Sequence, residues 1–484
     1  MKRRTLFGAA ALGLAGAVGA LSLSGIRFWD PKTYDVIVVG AGAAGLSAAV
    51  EAAGAGASVL VLEKQKKIGG NTLISGGFYT AVDPERQKPQ GVKDSEAFFF
   101  EQTYDYGGRL ARPELVRHLV TQAGPGLRWL ESLGMKFEPQ VFELYGAHWP
   151  RAHTPVLPLG VGYIRTLSAA ALARGAKIET GVQVTDLVEE KGRIAGVVAL
   201  VDGRREVFRA RKGVVVASGS FAANPDLIAH YAPALTGLTT NNTAASTGEV
   251  MLAAHRHGAT LIDMEQIQCL PGCPPGKRFR VRFHNNVSRF IFVNQEGRRF
   301  IREDGPRDAL RDAVLALPGK FAYTIVDADG FAEAGILTQK EAVLAMEAGE
   351  AWKGATLGDL ARKLGIPAGA LKDTVAQYNR AVSTKSDSLG KAGRELRHPI
   401  AKPPFYASYA GMTIHYTEGG LAINVHGECL REDGSVIPGL FAAGTVTGGV
   451  HGKNRLGGNG LADAVVFGRT AGCYAATGKD LPEG

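Results

Sequence analysis

From Asp35 to Val39 apolar β-formers follow one another without polar alternation, the pattern of a strand buried on both faces. The run leads into Gly40-Ala-Gly42-Ala-Ala-Gly45, then an Ala-rich stretch, Leu46–Ala57, that reads as a helix, then a second buried strand, Ser58–Leu62. Together these predict a βαβ unit. Residues 92–135 carry apolar positions at mixed three and four spacing and predict helices. Ile194–Val201 and Glu206–Ala210 flank Asp202-Gly203, a hairpin signal, and Gly213–Ala217 predicts one more buried strand. Near residue 265 the pattern changes to Pro- and Arg-rich irregular stretches. Helices are then predicted at Glu341–Ala348, Thr356–Leu364 and Ala368–Arg380. Strands and Gly-rich turns resume from Gly411 and end in a helix, Gly460–Ala476. The expected fold class is α/β: a Rossmann-like nucleotide-binding domain built from both ends of the chain (31–265 and 411–484), interrupted by a second domain at 266–410.

The Gly-x-Gly-x-x-Gly run has its full context, with a strand before it, a helix after it, and Glu63 closing the second strand 23 residues beyond Gly40. Gly40 permits the tight turn, Gly42 admits backbone amides to a pyrophosphate, and Gly45 lets the helix pack closely on the sheet. The helix N-terminus favours the phosphates, and the Glu63 carboxylate suits ribose hydroxyls. A second Gly-rich loop follows at once, Gly69-Gly70-Asn71-Thr72 and Ser75-Gly76-Gly77. Ala217-Ser218-Gly219 and Ala443-Gly444-Thr445 add two strand–turn elements of small residues. A cofactor longer than NAD, contacted by backbone along its length, explains all of them, and the expectation is non-covalent FAD. Ala44, Lys64, Val184, Glu249, Arg455, Gly458, Asn459, Gly460 and Leu461 complete the expected cofactor contacts, and no metal site is expected.

Composition narrows the remaining possibilities. With 484 residues the chain has room for a large cofactor domain and a smaller one. Its 64 glycines are roughly twice the usual share of about 7%, as loops approaching a phosphate-bearing cofactor require. The net charge of +9 comes from scattered Lys and Arg without a nucleic-acid motif, so nucleic acid is not an expected partner. Four scattered cysteines make no disulfide framework. Cys269 and Cys273 are read as buried free thiols, and the absence of Cys-x-x-Cys-His excludes a c-type haem on this chain. Lys2, Arg3 and Arg4 precede an Ala/Gly/Leu stretch to Leu23. Residues 1–30 therefore read as an export signal of twin-arginine type, with a periplasmic destination.

These segments carry a resemblance. The chain resembles the flavoprotein family of soluble fumarate reductases (the flavin domain of flavocytochrome c), which includes urocanate reductase and, more distantly, 3-ketosteroid dehydrogenases. Its most specific stretch is Gly448-Gly449-Val450-His451-Gly452-Lys453-Asn454-Arg455-Leu456-Gly457-Gly458-Asn459. The resemblance implies an inserted clamp domain at 266–410 and reduction of an α,β-unsaturated carboxylate. Arg455 and His415 would bind the carboxylate and Arg307 would donate a proton, with Glu303, Asp304 or Asp308 as a possible relay. A guanidinium acid needs such a relay because it is not normally deprotonated. Departures stand beside the matches. Leu270 replaces a family histidine, a Thr-Glu pair is missing near Arg282–His284, Tyr416 replaces a second histidine, and Thr445 replaces a glutamate. These departures predict a mono-acid with an apolar, aromatic or amide tail rather than fumarate. Leu270 and Tyr416 would line its site, and a separate c-type cytochrome or membrane quinol oxidase would supply electrons. Two alternatives remain at this stage: a dehydrogenase desaturating a saturated acid or ketone, and a non-catalytic electron-transfer module.

Overall fold

The computed structural model describes residues 33–482, so the export segment at 1–30 lies outside the described residues. Strand β1 (Thr33–Val39), helix α1 (Ala43–Gly54) and strand β2 (Val59–Glu63) form the expected βαβ unit, with Val36 paired to Val59 and Val39 to Leu62 in parallel. On the other side of β1 lies the long strand β3 (Arg204–Val216), where two separate strands were expected. Exposed Arg211 and Lys212 interrupt its apolar pattern without ending the strand. Arg211 instead bonds Asp35 on β1 at 2.9 Å. The first half of β3 forms the Asp202-Gly203 hairpin with Arg193–Val201, and both turn residues have positive φ (49° and 77°). Its second half joins the parallel core.

The middle of the chain builds a second sheet. Strand β4 (Ile267–Gly272) leads to an irregular Pro/Arg stretch, then helix α2 (Arg307–Leu315). Strand β5 (Phe405–Thr417) is the hub: it pairs antiparallel with β4, with Phe321–Val326 and with Ala351–Gly354, and parallel with Thr239–Thr240. It begins before residue 411, where strands were expected to resume, and runs on into the returning chain. Around it, Leu360, Leu371, Val375 and Tyr378 fill a small core of their own.

Strand β6 (Val436–Ala442) then completes the first sheet beside β3, giving the parallel order β6-β3-β1-β2-(177–180). Helix α3 (Asn459–Thr477) lies across α1. Gly468 and Gly472 allow that contact, because a Cβ on either would run into the backbone at Ala44 or Ala48. The two ends of the chain thus form one Rossmann-like layer, whose β1, β2, β3 and β6 ends open towards β4 and β5.

Candidate active site

The parallel strands end at a long cavity whose lining runs from Gly40, Gly42 and Glu63 to Ala217, Ser218, Gly219, Gly444 and Thr445. Gly40 has φ +106° and a Cβ there would strike the Ala217 carbonyl, so the turn after β1 demands glycine. The first amides of α1 point to this end, and Ala43 N–H donates to Thr72 Oγ1 at 3.0 Å. Glu63 accepts from Ala41 N–H (3.0 Å) and Gln65 N–H (2.9 Å), one bond on each oxygen. Asn71 bonds Asn242, Ser246 and the Thr243 amide, so it ties the second Gly-rich loop to the 241–246 segment.

Whether FAD fits here can be read from the space. Side chains placed on Gly70 or Gly219 would meet nothing within 4 Å, and Ser218 Oγ is buried without a partner. The cradle therefore has room and an unsatisfied polar group where a phosphate-bearing cofactor would lie. Gly45 lies behind it, against Gly40, where a Cβ could not fit. Ala44, Lys64, Gly70, Thr72, Val184 and Glu249 also line the cavity. Lys64 and Glu249 pair with each other at 2.5 Å. Burial opposes ionisation of Glu249, but bonds from Lys64 and Thr247 hold its carboxyl below the ordinary range.

Other expected contacts face neighbouring protein. Ser75 Oγ donates to Thr72 O and accepts from Gly77 N–H. Gly76 and Gly77 pack on Phe78 and on the Leu159 carbonyl, and Gly458 on Thr80. Asn459 bonds Thr80 (2.7 Å) and Thr103 (3.4 Å), and Leu461 is buried. Sequence reasoning missed Thr243, Ala245 and Ser246, which also line the cavity. Their signal was the run of small, largely polar residues Thr239–Thr247.

Beyond Thr445 a second group of side chains converges. The β4–β5 pairing slips by one residue at His415: Gln268 pairs Tyr416 and Cys269 pairs Ile414. His415 is the extra residue of this bulge, a device that re-aims a side chain. Arg307, the first residue of α2, is buried. Its Nη1 donates to Gln268 Oε1 (2.7 Å) and its Nη2 to Tyr145 O (2.6 Å). Arg455 Nη2 donates to the same Gln268 oxygen (3.2 Å) and Nη1 to Leu456 O (2.9 Å). Gln268 spends its amide protons on Asn454 Oδ1 and Arg455 O, so it is locked in place. Gly146 and Gly457 leave room for Arg307, since a Cβ on either would crowd its guanidinium.

Among the described residues neither guanidinium has a carboxylate within ion-pair distance. Glu303 is held by Arg299 and Lys391, Asp304 by Arg302, and Asp308 by Lys453 and Asn454. The expected carboxylate relay to Arg307 is therefore not connected: each of these acids is bonded elsewhere. Burial lowers the Arg307 pKa; the nearby Tyr106 opposes this and the charge of Arg455 adds to it. Burial, with the charges of Arg455, Arg280 and Arg307 and with His284, holds His415 neutral, well below its ordinary value.

Tyr416 lies under Arg455, 4.4 Å from guanidinium carbon to ring centre, and its hydroxyl donates to Asp463 Oδ2 at 3.2 Å. Leu270 is buried on β4, opposite Thr413. Glu418 was not singled out from the sequence. It accepts the Arg455 amide on Oε1, its Oε2 is buried without a partner, and burial raises its pKa. All four cysteines are free, with Cys273 only half-buried because it sits in the turn after β4.

A Rossmann-like sheet with a second Gly-rich loop, opening onto a buried arginine–histidine site, defines the chain as a flavoprotein oxidoreductase. The family model described as "FAD binding domain" matches residues 35–461, and the chain belongs to that family. A probable fumarate reductase, Ifc3, of Shewanella frigidimarina is 36% identical over 453 residues, covering 92% of this chain and 75% of the relative. An NADH:fumarate oxidoreductase of Klebsiella pneumoniae is 35% identical, and this chain spans only 48% of its length. Among solved structures, the open conformation of a flavocytochrome c3 fumarate reductase superposes with TM-score 0.74 at 35% identity, over 92% of this chain and 79% of that one. A 3-ketosteroid-Δ4-(5α)-dehydrogenase of Rhodococcus jostii RHA1 superposes with TM-score 0.75 at 30% identity, over 94% and 99%. FAD is the cofactor of this chain.

Proposed function

We propose that this protein reduces the C=C bond of an α,β-unsaturated carboxylate other than fumarate. The observation that carries the reading is the Gln268 oxygen shared by the buried guanidiniums of Arg307 and Arg455, beside a neutral His415. Two buried cations sharing one neutral acceptor form a site for an anion.

FAD supplies hydride-transfer chemistry when bound, held non-covalently by the Gly40–Gly45 turn, Glu63 and the Gly69–Gly77 loop. Arg455 binds the substrate carboxylate, its planar fork suiting two parallel bonds. His415 adds a donor if Nε2 carries the proton. Its Nδ1 lies 3.1 Å from the Asn241 side-chain amide, whose Nδ2 is buried without a partner. Turning that amide over gives up the 3.4 Å bond that Asn241 Oδ1 accepts from Asn242 Nδ2, but lets Nδ2 donate to His415 Nδ1 and leaves Nε2–H for the acid. Arg307, pinned by Gln268 and Tyr145 O, holds the proton for the α-carbon. Its buried surroundings and the charge of Arg455 make that proton easier to give up than an exposed arginine's.

In this reading 31–265 and 411–484 hold the cofactor, 266–410 clamps the substrate, and 1–30 directs twin-arginine export to the periplasm. There a c-type cytochrome or membrane quinol oxidase delivers electrons. The likeness to a ketosteroid dehydrogenase supports a second reading, the same site run as a desaturase. Mixing photoreduced enzyme with enoates, and oxidised enzyme with the saturated acids, separates the two. Enoate reduction requires fast flavin reoxidation in the first experiment and little bleaching in the second.

A further inference from the structure

Helix Ile336–Glu347 is built inside out. Its buried positions carry the small residues Thr338, Ala342 and Ala345, while all four branched aliphatics face outward. Ile336 is 63% exposed, Leu337 55%, Val343 45% and Leu344 52%. At about 100° per residue these four share an arc of roughly 120° with Lys340 and Glu347, opposite the small residues. A helix covering a core turns its large apolar side chains inward. A contiguous apolar stripe left outside marks a contact surface.

The stripe cannot roll into the protein, because its neighbours hold the helix in this orientation. Glu341, at the edge of the stripe, accepts the Arg280 amide at 3.1 Å. Glu350, just past the helix, accepts the Arg278 and Phe279 amides at 2.8 and 2.9 Å. Among the described residues nothing pairs with Lys340 or Glu347, and both are exposed.

Those two charges select the occupant. An anionic bilayer would attract Lys340 and repel Glu347, so it gains nothing from the pair. A second copy of the same helix uses both. Lys340 and Glu347 stand seven residues apart, about two turns, and their midpoint falls between Val343 and Leu344. A two-fold axis through that midpoint sets Lys340 against Glu347 of the partner subunit, once on each side. Val343 and Leu344 of both copies then pack between the two ion pairs. Such self-complementarity is what a two-fold interface requires.

Independently of the enoate reading, we propose that this protein forms a homodimer through helix Ile336–Glu347, packed antiparallel on the same helix of a second copy. The 12-residue helix is about 18 Å long, short for a permanent interface, so the dimer exchanges reversibly with monomer.

The test is sedimentation velocity on the FAD-loaded full chain from roughly 1 to 100 μM. Wild type should pass from monomer to dimer across this range, and Leu344→Asp should stay monomeric with its flavin content unchanged. Lys340→Glu and Glu347→Lys should each weaken the dimer at least ~10-fold by opposing like charges, and the variant carrying both should return to within ~3-fold of wild type. Wild type that remains monomeric at the highest concentration overturns the proposal. A dimer that survives Leu344→Asp also overturns it, since the contact then lies on another surface. Failure of the double variant to recover rules out the antiparallel pairing. Flotation with phosphatidylglycerol–phosphatidylcholine vesicles tests the other occupant. Vesicles that carry wild type but not Leu344→Asp, while wild type stays monomeric in solution, would make the stripe a membrane contact and overturn the dimer.

Discussion

Arg307 and Arg455 depend on one carboxamide oxygen, and this makes Gln268 a positioning residue for both. Gln268→Met keeps the volume and leaves two buried guanidiniums without their shared acceptor. Hydrogen bonds to charged groups contribute about 1.5–3 kcal/mol, so kcat/KM should fall roughly 10- to 150-fold with FAD content unchanged. Wild-type kinetics in that variant would show that the bridge seen at 2.7 and 3.2 Å does not position either arginine. Arg307→Ala should abolish turnover while retaining flavin and substrate binding, with the loss in kcat rather than KM. A variant keeping more than about a tenth of the wild-type rate, a barrier change under ~1.4 kcal/mol, would remove Arg307 as the proton donor. Both arginines were legible from the sequence through their motifs. Gln268 was not, because a glutamine in an apolar strand carries no periodic signal and its role exists only once β4 lies beside the 448–459 loop.

At the scale of elements, the βαβ unit was the most legible part, since Gly40, Gly42, Gly45 and Glu63 each answer a separate steric or polar demand. The long β3 was read as two strands because Arg211 and Lys212 break the apolar run while the backbone pairing continues. The His415 bulge was invisible, since a one-residue slip depends on the partner strand. The α1–α3 crossing rests on small residues, and that can be tested away from the cavity. Gly472→Ala places a methyl against the Ala48 backbone, 2.2 Å from its carbonyl oxygen and 2.5 Å from its Cα. Overpacking of this kind costs about 1–3 kcal/mol, so thermal unfolding should shift down by roughly 1–3 °C for a chain of this length while the bound flavin spectrum is unchanged. An unaltered melting temperature would mean that the two helices have slack the structure does not show.

For the whole molecule, acid sensitivity follows from histidines kept neutral inside the fold. His118, on helix Pro113–Ser132 and remote from the site, is brought by burial, with a contribution from His426, to about 4. Between pH 6.5 and 4 the unfolded chain therefore binds a proton there that the native state refuses, so the stability contribution is present above 6.5 and is lost as pH falls. Relative to His118→Gln, wild type should lose up to ~1.4 kcal/mol per pH unit across that window; a pH-independent difference would place His118 in water. The cofactor should leave intact on denaturation, as unmodified FAD in the supernatant, and flavin that stays with the precipitated chain would mean a covalent link. The central claim, reduction of unsaturated acids at the Arg307–Gln268–Arg455 site, is tested most directly by steady-state oxidation of reduced viologen with a panel of mono- and dianionic enoates. The account predicts turnover of at least one non-fumarate enoate faster than fumarate, lost in Arg307→Ala. It is contradicted if no enoate oxidises the dye while the same enzyme passes electrons from a saturated acid or ketone to an acceptor.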